Sequence, residues 1–441
     1  MTTSPRLRSR LTAVDRAILA ISIPALGALA IDPLLTLTDT GFVARLGTTE
    51  LAALGVSAAV LIPSFFVFNF LAFATTPLVA KALGSSDQDR ARHYVGTALG
   101  LAVVLGSLVT VLLLTLSPWF VSLVGATGEV AAQAVIYLRI RALAAVAVLI
   151  VITGHGAFRG HKNTRTPLLV ALGVNGLNLV LDPLLIFTFD LGLRGAAWAT
   201  VAAQVFGAVW FLVLVRNRRM AVMPRSFAES LPPILILGKN GVLLTVRSTF
   251  LVATFAIGAS AATRLGPDHI AAHQLLAQLF LLAALVADSL EIAGQALVAE
   301  ESAHRDLTTL RTLTRRLIAW GVVVGLTLAV LVGVGRYGLA LLASDQTVAD
   351  LVLSAGVVAA VFMPVGALVF VADGIFVGLL SLGTMALSTA TGAMVAIPLL
   401  LWSPLGDSLT GIWAAIGIFL LVRGLVFIAG YRRSTEMAVK S

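Results

Sequence analysis

The chain lacks cysteine and has few charged residues, and both shortages limit what it can be. Without Cys, it forms no disulfide, no thiol redox centre and no Cys-ligated zinc site. Charged residues make up 12% of the chain, whereas soluble domains carry roughly 25%. The longest polar connection, 216–232, is too short for a folded domain. The composition therefore excludes an ordinary soluble protein.

Apolar residues are abundant instead and occur in long runs. The hydrophobic fraction is 59% and the mean hydropathy is +1.01. About 20 apolar residues cross a hydrocarbon core of about 30 Å. These runs predict an all-α integral membrane protein with twelve transmembrane helices. Their expected bounds are 17–44, 50–81, 94–117, 130–157, 167–189, 195–215, 241–263, 268–299, 314–336, 350–376, 383–402 and 409–430.

The net charge of +9 is explained by topology. Most Lys and Arg residues fall in the terminal segments and in alternate connections, which is the positive-inside pattern. We therefore expect a multi-pass protein of the cell membrane with both termini in the cytoplasm. A nucleic-acid partner is not expected. The first apolar run is longer than a signal-peptide core, and we interpret it as retained.

The second half of the chain repeats the first. The segment "ARLGTTELAA" at 44–53 resembles "TRLGPDHIAA" at 263–272, and four further matches follow nearly in register. Six helices in each repeat return the chain to its starting side, so the repeats are parallel. We expect an N-lobe over 1–222 with helices 1–6, and a C-lobe over 223–441 with helices 7–12. This is a layout of secondary transporters.

Three acids lie inside apolar runs of the first repeat. Asp32, Asp39 and Asp182 align with glycine or apolar residues in the second repeat. An acid inside a membrane costs several kcal/mol, which makes a functional site the first hypothesis. The asymmetry between the repeats therefore assigns the candidate site to the N-lobe.

Four polar residues of the first repeat fall at a similar membrane depth, namely Asp39, Asn178, Asp182 and Thr200. Asn178 and Asp182 share one face of a helix at i,i+4 spacing. Their oxygens could coordinate Na⁺, or one carboxyl could hold a proton. The sequence leaves H⁺ and Na⁺ open as the bound cation, and predicts no other metal. For Thr200, a hydrogen bond to its own helix backbone is the alternative.

Two further acids and two prolines complete the candidates. Asp32 lies two turns before Asp39, and Asp373 lies in helix 10. We keep both as candidates for a proton relay or a gate. Pro33 and Pro183 each follow an Asp and remove a backbone N–H, so we expect hinges there. The arginines inside spans, among them Arg141, we interpret as structural rather than as ligands.

Motifs of soluble catalysis are absent. The chain has no P-loop and no HExxH, and its lone GxGxxG, "GVGRYG", ends an apolar run without a preceding strand. An intramembrane enzyme would need a nucleophile and a base, or metal ligands, at one depth, and we find no such set. We expect neither enzymatic activity nor an organic cofactor.

Several segments resemble the multidrug and toxic compound extrusion (MATE) family. They are "LTDTGFVARLGTTELAALG" in helices 1–2, "GAFRGHKNTRTPLL" after helix 4, "NGLNLVLDPLLIF" in helix 5 and "GLRGAAWAT" in helix 6. "VADGIFVG" and "EIAGQALVAE" in the second half are similar to the DinF-like branch. The resemblance covers nearly the whole chain and implies the MATE-type fold.

The resemblance also implies a function. Members export drugs and toxic metabolites in exchange for H⁺ or Na⁺ by alternating access. Carried over by motif, the family's cation site is Asp39, Asn178, Asp182 and Thr200. Helix 7 here lacks the acid that some branches use for a second site. We expect a small cationic or amphipathic organic substrate, the lipid bilayer as surroundings, and a monomer. The alternative is a lipid-linked-precursor flippase of the same superfamily, which we would expect to have a more basic cavity.

Overall fold

The computed structural model describes residues 12–223, 226–343 and 345–440, and this part of the chain is helical without a strand. Within these ranges, fourteen α-helices follow one another. They are α1 (Ala13–Ala44), α2 (Thr48–Phe66), α3 (Phe70–Gly84), α4 (Gln88–Leu123), α5 (Gly128–Ala142), α6 (Ala145–Gly160), α7 (Arg165–Pro183), α8 (Gly192–Asn217), α9 (Phe227–Leu265), α10 (Pro267–Ala303), α11 (Leu307–Leu341), α12 (Gln346–Gly378), α13 (Leu382–Trp402) and α14 (Leu409–Lys440).

The helices account for the predicted spans, with two interruptions. In the described residues, eleven helices are long and apolar enough to cross a membrane, and α2 and α3 count as one of them across a short 3₁₀ turn, Val67–Asn69. The twelfth span is the pair α5 and α6, which are bent by 54°. The prediction of twelve transmembrane helices is confirmed, but a single unbroken helix over 130–157 is wrong.

Helix α4 explains how the break between α5 and α6 is tolerated. The Thr110 hydroxyl donates a 2.9 Å hydrogen bond to the carbonyl of Ala142, the last residue of α5. A Cβ on Gly106 would lie 2.6 Å from the Cα of Val146, so only glycine lets α6 approach this closely. A broken helix at membrane depth needs such partners, because no water is available to its freed carbonyls.

Several helices begin at side-chain caps outside the apolar runs. Thr12 and Asp15 form a capping box at the start of α1. Asp87, Asp306 and Asp345 each accept a backbone N–H at the starts of α4, α11 and α12. These caps satisfy N–H groups that a helix leaves without partners at its N-terminus.

The helices pack as two bundles. In the first, α6 packs against α3, α4 and α8, and α7 packs against α1 and α8. In the second, α12 packs against α10, α11 and α14, and α13 packs against α9 and α14. The division of the chain at residues 222 and 223 stays a prediction.

The bundles meet near the face on which both described chain ends lie, here called the termini face. Ala438 of α14 belongs to the same apolar cluster as Ile18 of α1. Across the bundle boundary, Lys162 Nζ lies 2.7 Å from a carboxylate oxygen of Glu300 on α10. A Cβ on Gly84 would lie 2.4 Å from the backbone oxygen of Glu300, so α3 and α10 nearly touch there.

Candidate functional site

Two acids from different helices meet near the face opposite the termini face. Asp39 lies close to the end of α1, and Asp182 lies at the end of α7, directly before its last residue, Pro183. Their carboxyl groups are immediate neighbours. The structure therefore brings together the two acids that the sequence placed at similar depth.

Asn178 and Asp182 lie on one face of α7 and are almost fully buried, with exposed fractions of 4% and 1%. Asn178 faces the Asp182 carboxyl. Within the described residues, the amide nitrogen of Asn178, both carboxyl oxygens of Asp182 and one of Asp39 are buried without a hydrogen-bond partner. Buried polar atoms without partners are costly, so these atoms favour a bound proton or cation.

Thr200 lies on α8, where its hydroxyl donates a 3.0 Å hydrogen bond to the carbonyl of Ala196. This is the hydrogen bond to its own helix backbone that the sequence left open for Thr200 as the alternative to cation binding. The hydroxyl oxygen can still accept a bond or coordinate a cation. The Thr200 side chain also faces Tyr137, and Tyr137 faces both acids. Thr200 therefore lies at the edge of the carboxyl pair.

Helix α5 supplies two residues that the sequence did not assign to the site, Tyr137 and Arg141. They lie one turn apart, and Arg141 is within electrostatic range of both Asp39 and Asp182. Its Nη1 is buried and has no hydrogen-bond partner among the described residues. The sequence suggests a structural role for Arg141, whereas in the structure its positive charge is within electrostatic range of both acids. The sequence feature that could have assigned these two residues to the site is an arginine one turn from a tyrosine inside an apolar run.

These residues fit a monovalent cation better than a catalytic reaction. Two neighbouring carboxylates repel each other and lack a donor between them, so one proton or one cation stabilises the pair. If Na⁺ binds, Asp39, Asp182, the amide oxygen of Asn178 and the Thr200 hydroxyl would supply hard oxygen ligands. Among the described residues, no three His, Asp or Glu side chains converge as a metal site.

The prolines beside the acids differ in their effect on the backbone. Helix α1 runs without interruption through Pro33. The α-helical part of α7 ends at Pro183, and a π-helical turn, Leu184–Thr188, follows. The hinge roles stay predictions. The side chain of Asp32 lies outside the described part of the structure, so its relay role also stays a prediction.

Asp373 lies in the second bundle and is fully buried at 0% exposure. Its oxygens accept hydrogen bonds from Arg247 at 2.7 Å and from Arg423 at 2.7 and 2.8 Å. Both arginines are also buried. Asp373 is thus distant from the carboxyl pair in the sequence and is held in an ion triad. Its relay or gate role stays a prediction.

Comparisons with known proteins agree with this architecture. The MatE family model matches residues 24–184 and 244–402. Protein DETOXIFICATION 45, chloroplastic, of Arabidopsis thaliana is 31% identical over 444 residues, which cover 95% of this chain and 78% of that protein. DNA damage-inducible protein F of Escherichia coli (strain K12) is 29% identical over 435 residues, which cover 96% of this chain and 93% of that protein.

The fold is also that of a solved transporter. A structure described as the outward-facing conformation of a multidrug resistance MATE family transporter of the MOP superfamily superposes with a TM-score of 0.87. It is 21% identical and covers 100% of both chains. The family model matches well over half of this chain, and a relative above 30% identity spans nearly all of it. The chain therefore belongs to the MatE family of multi-pass membrane transporters, with DinF among its relatives.

Proposed function

We propose that the protein is a secondary active antiporter that exports small organic compounds in exchange for H⁺ or Na⁺. The observation that carries this proposal is the neighbouring carboxyl pair of Asp39 and Asp182, three of whose four oxygens are buried without a hydrogen-bond partner among the described residues. A transporter needs a group whose charge changes when the coupling ion binds. A carboxyl pair at membrane depth meets that need.

The cation acts by neutralising the pair. Without the cation, the two carboxylates repel each other, and this repulsion pushes α1 and α7 apart at Asp39 and Asp182. With a proton or Na⁺ bound, the ends of the two helices can approach, and bending of α1 near Pro33 can follow. A cation and a substrate that favour different conformations weaken each other's binding by the same factor.

The contacts between the bundles support uptake of the cation from the face opposite the termini. The Lys162–Glu300 ion pair and the close approach of Gly84 to α10 lie towards the termini face, whereas Asp39 lies near the end of α1 at the other face and is half-buried. We propose that the protein lies in the cell membrane with both termini in the cytoplasm. The cation then enters the site from outside the cell while the substrate leaves the cell.

The charge of the site supports a cationic or amphipathic organic substrate. A carboxyl pair that has lost its cation is negative, so an organic cation or an amphipathic base can take its place electrostatically. We propose that the protein acts as a monomer with its cavity between the bundles, surrounded by the bilayer.

The test is transport by the purified protein in proteoliposomes loaded with ethidium. A pH gradient and a Na⁺ gradient are imposed separately, and the wild type is compared with Asp39→Asn. The matched control is Asp350→Asn, an exposed acid of α12. We expect one gradient to drive transport in the wild type and the control, and Asp39→Asn to abolish it.

Two results would contradict the proposal. Gradient-driven transport that survives in Asp39→Asn would remove the carboxyl pair from the mechanism. If neither gradient drives transport, antiport of ethidium is contradicted. Translocation of a lipid-linked precursor would then be measured with a fluorescent lipid analogue.

A further inference from the structure

A basic cavity lies on the termini face of the first bundle, where α4 begins and where α6 and α8 end. Its volume is about 310 Å³, which is within the range of small-molecule sites. Arg92, Arg218, Arg219 and His161 line it, and no acid is among the described residues that do. The transport mechanism above uses none of these residues.

The positive charge of the cavity is not balanced by the protein itself. Among the described residues, the guanidinium groups of Arg218 and Arg219 have no carboxylate partner. Arg92 pairs at 3.1 Å with Asp89, whose side chain is 91% exposed, and such exposed pairs are weak. Guanidinium groups bind phosphate oxygens with two parallel hydrogen bonds. The lining of the cavity therefore favours a phosphate-bearing ligand.

The backbone that carries these arginines is fixed in place. The segment after α8 is tied to α4, because the N–H of Val222 donates a 3.1 Å hydrogen bond to the carbonyl of Arg92. A Cβ on Gly96 would collide with the backbone oxygen of Val222, so only glycine lets the segment lie this close to α4. Arg218 lies over the fully buried ring of Phe158, with its Cζ 5.4 Å from the ring centroid. A cavity that is already formed loses little entropy when a ligand binds.

His161 adds a different kind of group to the wall of the cavity. Its Nδ1 lies 2.9 Å from the carbonyl of Ala157, and because a carbonyl only accepts, Nδ1 carries the proton. Burial lowers the pKa of His161, and the nearby Arg218 lowers it further, so the ring is neutral. Nε2 of a neutral ring then accepts a hydrogen bond from a hydroxyl. The cavity thus offers donors for a phosphate and an acceptor for a hydroxyl beside it.

The same place in the second bundle is filled by apolar side chains. In the second repeat, Leu310 and Leu379 stand where Ala91 and His161 stand in the first. Both leucines are buried in one apolar cluster with Ala438 of α14. Helix α14 continues to Lys440, whereas α8 has ended before the cavity. The positive-inside pattern applies to both halves, so it does not explain a basic cavity that only the first half has.

The surroundings of the cavity allow two sources for a phosphate ester. The last turns of α8 before Arg218 carry exposed apolar side chains, among them Val209, Leu212 and Val213, which acyl chains would cover in a bilayer. If the termini lie in the cytoplasm, as proposed above, this face meets the leaflet that carries anionic lipids. The phosphate ester is then either the headgroup of such a lipid or a soluble compound of the same chemistry.

We propose that this cavity is a binding site for a phosphate ester that also carries a hydroxyl group, such as a phosphoglycerol group. Arg92, Arg218 and Arg219 hold the phosphate, and His161 accepts a hydrogen bond from the hydroxyl. The bound ligand joins the start of α4 to the ends of α6 and α8. The site does not depend on the proposed antiport.

The direct test is calorimetric titration of the purified protein in a neutral detergent. The probes are dioctanoyl phosphatidylglycerol, the zwitterionic dioctanoyl phosphatidylcholine and soluble glycerol phosphate. We expect phosphatidylglycerol to bind the wild type more tightly than phosphatidylcholine. Replacing Arg218 and Arg219 together by Gln should weaken this binding at least about tenfold, because hydrogen bonds from charged donors are lost. Replacing Arg432 and Arg433 together by Gln removes the same charge from exposed positions of α14 on the same face and should leave the affinity unchanged.

A second variant places a negative charge in the cavity without removing an arginine. Gln88 lines the cavity and is the first residue of α4, directly after the cap Asp87. An acid there is favourable for the helix, so Gln88→Glu should fold, and it should weaken phosphatidylglycerol binding by repulsion. The matched control is Gln346→Glu, the first residue of α12 after the cap Asp345, which should leave the affinity unchanged.

The two sources of the phosphate are separated by the probes. Tight binding of glycerol phosphate as well as phosphatidylglycerol would show that a soluble compound suffices, and binding of phosphatidylglycerol alone would identify a lipid headgroup. Either result supports the site if the cavity variants lose it. The proposal is overturned if neither probe binds the wild type more tightly than phosphatidylcholine does. It is also overturned if the α14 variant weakens binding as much as the replacement of Arg218 and Arg219.

Discussion

Replacing Asp182 by Asn should make the protein more stable at alkaline pH while it abolishes coupled transport. At alkaline pH, the carboxyl groups of Asp39 and Asp182 are both ionised and repel each other. Two unit charges on the order of 4 Å apart, at an effective dielectric constant of about 20, repel by about 4 kcal/mol. The positive charge of Arg141 offsets part of this. A net gain of roughly 1–3 kcal/mol remains for the Asn variant.

The sign of the effect depends on pH. At acidic pH the wild-type pair holds a proton, the repulsion is absent, and the variant gains little. As the pH rises the pair loses this proton, and the wild type alone loses stability. The assay is the apparent melting temperature of the purified protein in detergent, at one heating rate because such unfolding is often irreversible.

We expect the melting temperature of Asp182→Asn to exceed that of the wild type by several degrees at alkaline pH and to equal it at acidic pH. The control Asp350→Asn should follow the wild type at both. Equal melting temperatures of Asp182→Asn and the wild type at every pH would refute the idea that the two carboxylates repel each other in the folded protein.

Three further variants test other parts of the structure. Arg423→Met removes one partner of a buried ion triad and should cost about 3–5 kcal/mol of stability in chemical unfolding, whereas Arg432→Met, at an exposed pair, should cost at most about 1 kcal/mol. Gly84→Ala places a Cβ against an α10 carbonyl and should lengthen the distance between spin labels on the two bundles at the termini face. A Cβ at Gly383 would meet no atom within 4 Å, so Gly383→Ala should leave the distance between the spin labels unchanged. Arg141→Gln removes a positive charge beside the carboxyl pair and should move the midpoint of the pH profile of transport to higher pH by about one unit, while an unmoved midpoint would remove Arg141 from the site.

Composition and apolar run length were sufficient to predict the membrane helices, whereas the family was predicted from the resemblance of motifs such as "NGLNLVLDPLLIF" and "GLRGAAWAT". They did not predict the bend between α5 and α6, because the sequence around it is as apolar as its surroundings. The bend depends on two residues of another helix, Gly106, which lets α6 approach, and Thr110, which satisfies the freed carbonyl. Such features require the packed structure.

Counting residues from the helix ends placed Asp39 and Asp182 at a similar height along the membrane, and in the structure their carboxyl groups are neighbours. Depth says nothing about which way a helix is rotated. The sequence therefore missed Arg141, whose position beside the acids depends on the rotation of α5. For the same reason it did not connect Asp373 with Arg247 and Arg423, which lie 126 and 50 residues away in the chain.

The most direct test of the central claim is whether the coupling cation and the substrate compete through the Asp39–Asp182 pair. Ethidium binding to the purified protein is measured by fluorescence over a range of pH without Na⁺, and then over a range of Na⁺ at alkaline pH. We expect the affinity for ethidium to fall as one of the two cations is added, and Asp39→Asn to remove this dependence. Ethidium affinity that depends on the cation equally in the wild type and in Asp39→Asn would contradict it.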